Sequence, residues 1–241
     1  MTLATTDVSM RFGGLLAVNQ VSVTFPRGRI TGLIGPNGSG KSTLVNIMSG
    51  QLRATAGRVA LDDTDLTALR ADQITARGLA RTYQIPSLPP QLSIAEIIGV
   101  PLTYVRAPVK PLAGLRDPRS IAGFCGIRQS LDTRCAALPV PDLRRLEIAR
   151  AIACGPTMLL LDEVMAGLSH EDSQQVVALI RRVHAAGIGV VVIEHVMRII
   201  AALCEDVVVM NQGSVLRRGP PAEVLADPVV REVYLGRAHA A

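Results

Sequence analysis

Lysine is nearly absent from this chain: of 25 basic residues only Lys41 and Lys110 are lysines. A lysine at position 41 of so arginine-rich a protein marks a place where a compact ammonium is hard to replace. Tryptophan is missing, and three phenylalanines and three tyrosines make up the aromatic content. The four cysteines, Cys125, Cys135, Cys154 and Cys204, show no CxxC spacing and no neighbouring histidine. That argues against a zinc site or disulfide framework and for buried, idle thiols. No apolar run approaches the ~20 residues that a membrane-spanning helix needs. The most apolar segments, residues 158–161 and 189–193, are strand-sized and end at charged residues. The first residues lack the basic start and apolar centre of a secretory signal, so a soluble cytoplasmic protein is expected.

What is present supports a folded protein. Hydrophobic residues make up 49% of the 241 and charged ones 19%, enough for one substantial core with a small appended lobe. The net charge of +5 is mild; it suits a phosphate ligand, an anionic membrane surface or simply a solvated exterior, and no nucleic-acid partner is expected. Val21, Val23 and Phe25 alternate with polar residues, as in a half-buried strand. Residues 29–34 form a second apolar run, and residues 41–48 read as a helix. Residues 57–66 read as a strand with a turn, 71–76 as a short helix and 79–83 as another strand. The composition then shifts: residues 85–141 are proline-rich, suit loops and short helices, and are taken as a small lobe. The remaining core, 1–84 and 142–241, belongs with it to a single domain of 1–241. A helical pattern resumes at Leu143. Buried strands at 158–161 and 189–193 flank an amphipathic helix at 173–186, with further strands at 206–210 and 214–217 and a short helix near Pro221. Strands alternating with helices imply an α/β core.

Between the second apolar run and the first helix stands Gly35-Pro36-Asn37-Gly38-Ser39-Gly40-Lys41-Ser42, which fits G-x-x-x-x-G-K-[ST] in full. A polyphosphate needs close, converging N–H donors, which glycines allow because they carry no Cβ, and the following helix points its N-terminus at the anion. Lys41 reaches the β- and γ-phosphates, the Ser42 hydroxyl ligates Mg²⁺, and Thr43 is a lesser candidate near the α-phosphate. The alternative, a glycine-rich turn with no ligand, does not need this strand-loop-helix context. Further on, Asp162 and Glu163 follow the apolar run 158–161, at the strand end where ligands bind in open α/β sheets. Asp162 suits Mg²⁺ and Glu163 suits orienting or deprotonating the attacking water; a cap for the next helix is the blander role for Asp162. His195 follows the next apolar strand and is a candidate contact for the γ-phosphate.

These motifs resemble the ATPase domains of ABC transporters along almost the whole chain. GPNGSGKST resembles their Walker A, and LLLDE their Walker B with its catalytic glutamate. Gln84 in RTYQ resembles the Q-loop glutamine, which in the family senses Mg²⁺ and the attacking water and links to the membrane subunits. His195 resembles the switch histidine, residues 166–169 the D-loop, and Phe12 the aromatic that stacks on adenine, although Phe12 equally suits a core position. RFGGLLAVNQVS, ARTYQ, RRLEIARA, IEHVMRI and VVREVYLG are similar to the ATPases of branched-chain amino acid importers. The resemblance implies a P-loop fold of ABC type, a mixed β-sheet core flanked by helices with a small helical lobe. It also implies ATP and Mg²⁺ as ligands and a place on the cytoplasmic face of the inner membrane. The implied partners are two membrane-spanning permease subunits, a second ATPase subunit and, indirectly, an extracytoplasmic solute-binding protein.

The departure from the family lies at its signature. Where the family carries an LSxGQ-type stretch, this chain reads Leu138-Pro139-Val140-Pro141-Asp142. Pro139 replaces the serine and Pro141 the glycine, and neither has an N–H. Proline and aspartate both suit a helix start, so the helix is expected to form, but Asp142 is expected to place a negative charge where phosphate would sit. Each site in such a dimer joins one chain's Walker motifs to the other chain's signature, so an asymmetric pair with an intact-signature partner is expected; a homodimer is the alternative. Val164 replaces a usual proline, and the lobe is short for the branched-chain group. Rival readings are a soluble ABC ATPase of repair or translation, a P-loop kinase of small molecules, and a mainly regulatory nucleotide-binding subunit.

Overall fold

The computed structural model describes residues 2–84, 88–104 and 114–235. The chain divides into two compact units, one made of residues 1–74 with 189–241 and the other of residues 75–188.

The first unit opens with a long antiparallel pair, β1 (Thr2–Phe12) and β2 (Leu15–Pro26). The alternation read around Val21 and Phe25 is the inner face of β2, and Phe25 is fully buried. β1 escapes a period-two reading because its register slips between Thr5 and Val8 and again on either side of Met10, with Asp7 at φ 49°; each bulge inverts the faces that alternation relies on. β3 (Ile30–Ile34) is buried at every position, and α1 (Lys41–Met48) follows it. β4 (Ala56–Leu61) and β5 (Thr64–Asp65) complete a sheet of order β2-β1-β4-β5. Within α2 (Ala71–Ala76) the chain leaves this unit.

The second unit starts with β6 (Leu79–Arg81) and continues through α3 (Ile94–Tyr104), α4 (Pro118–Phe124) and a 3₁₀ turn at Cys135–Ala137. α4 begins with a capping box between Asp117 and Ser120. α5 (Val140–Ala153) begins three residues earlier than the pattern suggested, because prolines are tolerated where a helix has no N–H to pair. β7 (Met158–Asp162) is fully buried and pairs parallel with β6. α6 (His170–Ala185) is capped by Ser169, whose hydroxyl accepts from the Asp172 N–H, and it buries Val176, Val177, Leu179, Ile180 and Val183.

Back in the first unit, β8 (Gly189–Ile193) and β9 (Asp206–Asn211) pair parallel with the two edges of β3. α7 (Met197–Leu203) joins them, and β10 (Ser214–Gly219) pairs antiparallel with β9. The mixed ladder β10-β9-β3-β8 thus places β3, read as near-continuous apolar sequence, between two valine-rich neighbours, as burial on both faces requires. α8 (Pro221–Ala226) and α9 (Pro228–Leu235) close the described chain. Among the described residues no helix is long and apolar enough to cross a membrane, and all four cysteines are free thiols.

Candidate functional site

The phosphate loop runs from the end of β3 to the start of α1. Gly35 has φ 153° and is enclosed: a Cβ there would lie 2.2 Å from the Met210 carbonyl oxygen and 2.6 Å from Ser39 Oγ. Gly40, at φ 98°, would place a Cβ 2.5 Å from the Ala17 carbonyl oxygen. Gly38 also has positive φ, at 76°, yet nothing lies within 4 Å of its absent Cβ. Gly35 and Gly40 are therefore required by close packing, whereas Gly38 stands exposed with open space where its Cβ would be. Lys41 is buried and lays its ammonium on the loop's own oxygens, donating to Gly35 O at 2.7 Å, Pro36 O at 2.9 Å and Ser39 Oγ at 3.3 Å. Ser39 is buried, Pro36 and Thr43 are half-buried, and Asn37, Gly38 and Ser42 are exposed. α1 starts at Gly40 with no side-chain cap and no acidic residue in its first turn. Its first-turn N–H groups and its positive end are left for an external anion. These residues fit the triphosphate tail of a nucleotide.

In the second unit β6 and β7 end side by side in parallel register, Arg81 opposite Leu160. Asp162, the last residue of β7, is 5% exposed; its N–H donates to Thr82 Oγ1 at 3.1 Å, and its Oδ2 accepts from Arg81 Nη2 at 2.9 Å. Glu163 follows in the left-handed region, φ 48°, a conformation that costs a residue with a Cβ on the order of 1 kcal/mol or more. Its Oε2 accepts from Gln84 Nε2 at 2.8 Å. The structure thus brings together Gln84, Asp162 and Glu163, three of the expected site residues. Asp162 and Gln84 offer carboxylate and amide oxygens here, and Ser42 offers a hydroxyl in the first unit; each is a hard donor of the kind that suits Mg²⁺, an ion held mostly by phosphates and water with one or two protein oxygens.

Sequence reasoning missed the scaffold behind these groups. Arg144, on α5, donates from Nη1 to the Gln84 carbonyl oxygen at 3.0 Å and to Glu147 Oε2 at 3.3 Å. Both side chains are buried, and burial pushes the Glu147 carboxyl above its usual range against the pull of Arg144 and Arg150. RRLEIARA carries four charges in eight residues, and the i,i+3 spacing of Arg144 and Glu147 was the signal that could have marked a pair on one helix face. α5 thereby fixes the segment that carries Gln84.

The signature stretch takes an unexpected form. Leu138 is buried and Pro139 caps α5 without a side-chain hydrogen bond. The N–H groups of Asp142 and Leu143 both turn back to the Pro139 carbonyl oxygen, at 3.0 and 3.1 Å. Pro141 contributes no donor, and Val140 stands 50% exposed. Asp142, expected to face a phosphate, is instead 6% exposed and turned inward. Arg145 Nη1 donates to its Oδ1 at 2.7 Å, Gln129 Nε2 donates to its Oδ2, and Arg145 reaches on to Gln175. The reason is electrostatic: a carboxylate next to an arginine one helical turn away is better paired than left alone in a half-closed cleft of about 640 Å³. The signature is poor in donors but does not project a repulsive charge.

The two remaining candidates lie in the first unit. Phe12 ends β1 and is 45% exposed, so it is no core residue. His195, in the turn between β8 and α7, is exposed.

Comparison with known proteins agrees with this geometry. Residues 18–166 match the ABC transporter family, and residues 218–240 match a family described as branched-chain amino acid ATP-binding cassette transporter. The lipopolysaccharide export system ATP-binding protein LptB of Acidithiobacillus ferridurans is 35% identical over 92% of this chain and 91% of its own length. The high-affinity branched-chain amino acid transport ATP-binding protein LivG of Salmonella typhimurium is 33% identical over 98% of each chain. A nucleotide-free ATP-binding cassette from an ABC transporter superposes with a TM-score of 0.87 at 28% identity, covering 98% of this chain and all of that one.

Proposed function

The chain belongs to the ABC transporter family of ATP-hydrolysing subunits, and from that premise we propose that it is one half of an asymmetric ATPase pair driving import of branched-chain or other polar amino acids or amides. In this reading the loop 35–43 binds the phosphates of ATP, with Lys41 at the β- and γ-phosphates and Phe12 against the base. Ser42, Asp162 and Gln84 are the residues that would hold Mg²⁺, which would supply positive charge to the phosphates. Glu163 orients and deprotonates the attacking water, released from Gln84 when the nucleotide arrives, and His195 contacts the γ-phosphate. The lobe 85–141 docks on two membrane permease subunits, a solute-binding protein delivers cargo from outside, and the chain itself stays peripheral on the cytoplasmic face. The observation that carries the nucleotide site is the uncapped, acid-free start of α1 behind an open glycine loop. The asymmetry rests on the donor-poor start of α5, for which a second ATPase with an intact signature compensates on this chain's nucleotide.

The test is steady-state ATPase of the assembled transporter. Glu163→Gln should lower turnover by at least ~100-fold, the size expected for removing a group that acts in the transition state. The equivalent change in the partner should do much less, and the opposite order sinks the asymmetry. Import rests on the branched-chain match at residues 218–240. The similarity to a lipopolysaccharide export ATPase favours export as a second reading; uptake of labelled leucine or amide into vesicles holding the complex decides between them.

A further inference from the structure

Asp162 does not wait as a bare carboxylate. Arg81 Nη2 holds its Oδ2 at 2.9 Å, and both side chains are over nine-tenths buried, at 9% and 6% exposure. The guanidinium is fixed on two further sides: Nε donates to the Thr82 carbonyl oxygen at 3.2 Å, and the ring of Tyr83 lies 5.0 Å below it. Arg150 approaches the same ring, 6.0 Å from its centre. Among the described residues no hydrogen bond reaches Asp162 Oδ1, so one oxygen of the carboxylate is engaged and one is open. Burying an ion pair is costly and is often no better for stability than an apolar pair. Such a pair at the tip of β7 therefore calls for a role other than holding the fold.

We propose that Arg81 is a positioning residue that serves as the resting counter-ion of Asp162 and thereby sets how much divalent metal the site needs. This rests on the reading of Asp162 as a magnesium ligand. A fixed positive charge on Oδ2 holds the carboxylate rotamer with Oδ1 presented, and it opposes a second cation at the same group, since like charges a few ångströms apart repel strongly in a partly buried setting. Asp162 thus stays charge-compensated while the site is at rest, and engages metal only when nucleotide phosphates arrive to offset the extra charge. The site responds to magnesium nucleotide rather than to free magnesium.

Mn²⁺, followed by its paramagnetic resonance, serves as the probe for the full chain with and without ATP. Arg81→Gln keeps a hydrogen-bond donor for Asp162 and removes the charge. It should bind Mn²⁺ in the absence of nucleotide at least ~10-fold more tightly than the natural chain, a conservative estimate for deleting a unit charge beside a metal ligand. Arg81→Lys keeps the charge and should behave like the natural chain. Arg81→Met serves if the glutamine variant melts early, and should show the same tightening. Unchanged or weaker Mn²⁺ binding in a folded, neutral variant overturns the proposal. Binding of a fluorescent ATP analogue in the presence of Mg²⁺ separates the two readings. No nucleotide affinity in the natural chain itself would count against the ATP site, whereas retained affinity with an unmoved metal requirement in the neutral variants would count against Arg81 alone.

Discussion

Among the helices that start without a side-chain cap are α1, at Gly40, and α5, at Pro139, and their contrast shows what makes a helix end bind an anion. Both have a positive end. At α1 the loop before it is glycine-rich, and the first turn, Lys41-Ser42-Thr43, holds no acidic residue to satisfy the dipole from within. At α5 a proline stands at the cap and another in the first turn, and the acid of that turn, Asp142, is held by Arg145 and Gln129. The field of the helix is similar in the two cases; the supply of outward N–H groups is not. An anion site needs donors as well as a dipole, and α5 has kept the second and little of the first.

The largest effect expected from this contrast is at α1. Lys41→Ala removes the ammonium that rests on Gly35, Pro36 and Ser39. It should weaken ATP binding by at least ~100-fold, because a cation paired with phosphate in a partly dehydrated loop is among the stronger single contacts. Titration with a fluorescent ATP analogue checks this, and an affinity within about threefold of the natural chain would break the α1 half of the comparison. A smaller effect, of opposite sign, is expected at α5. Pro139→Ser, Pro141→Gly and Asp142→Gln together restore a hydroxyl and an N–H at the helix start. In an assembled pair whose first site is silenced by Glu163→Gln, the residual turnover should rise about 10- to 100-fold, the size of one or two restored transition-state donors. No rise would mean that something other than missing donors limits that site.

The two helix ends were not equally legible in the sequence. α1 spans the residues that the glycine-lysine motif requires, because a phosphate loop fixes the strand before it and the helix after it. β3, β8 and β9 were readable because a strand buried on both faces is apolar throughout. β1 was not, since its bulges break the alternation that betrays a half-buried strand. At α5 the loss of donors was visible in Pro139 and Pro141, but the fate of Asp142 was not. Its partner Gln129 lies 13 positions upstream, and no local pattern links them. The same holds for Arg81 and Asp162, 81 positions apart. The second pairing follows from the register of β6 on β7 and the first from a loop packing on a helix start, neither of which a local pattern reveals.

The smallest predicted effect concerns how far the α1 side depends on the rest of its unit. Tyr234, on α9, brings its hydroxyl beside the Gly35 backbone, and burial pushes the phenol above its usual range. The oxygen is buried without a hydrogen bond of good geometry among the described residues. A buried hydroxyl left unpaired costs about 1–3 kcal/mol relative to one that is satisfied, and phenylalanine fills the same space without that cost. Tyr234→Phe should therefore leave the melting temperature unchanged or raise it by about 2–4 °C, the shift worth roughly 1 kcal/mol in a chain of this size, with ATP affinity unaltered. A loss of stability beyond about 1 kcal/mol, or a weaker hold on ATP, would mean that the hydroxyl does take the Gly35 N–H. The start of α1 would then owe its shape to the C-terminal helix as well as to its own glycines, and the contrast with α5 would lie between two differently supported helix ends as well as between two sets of donors.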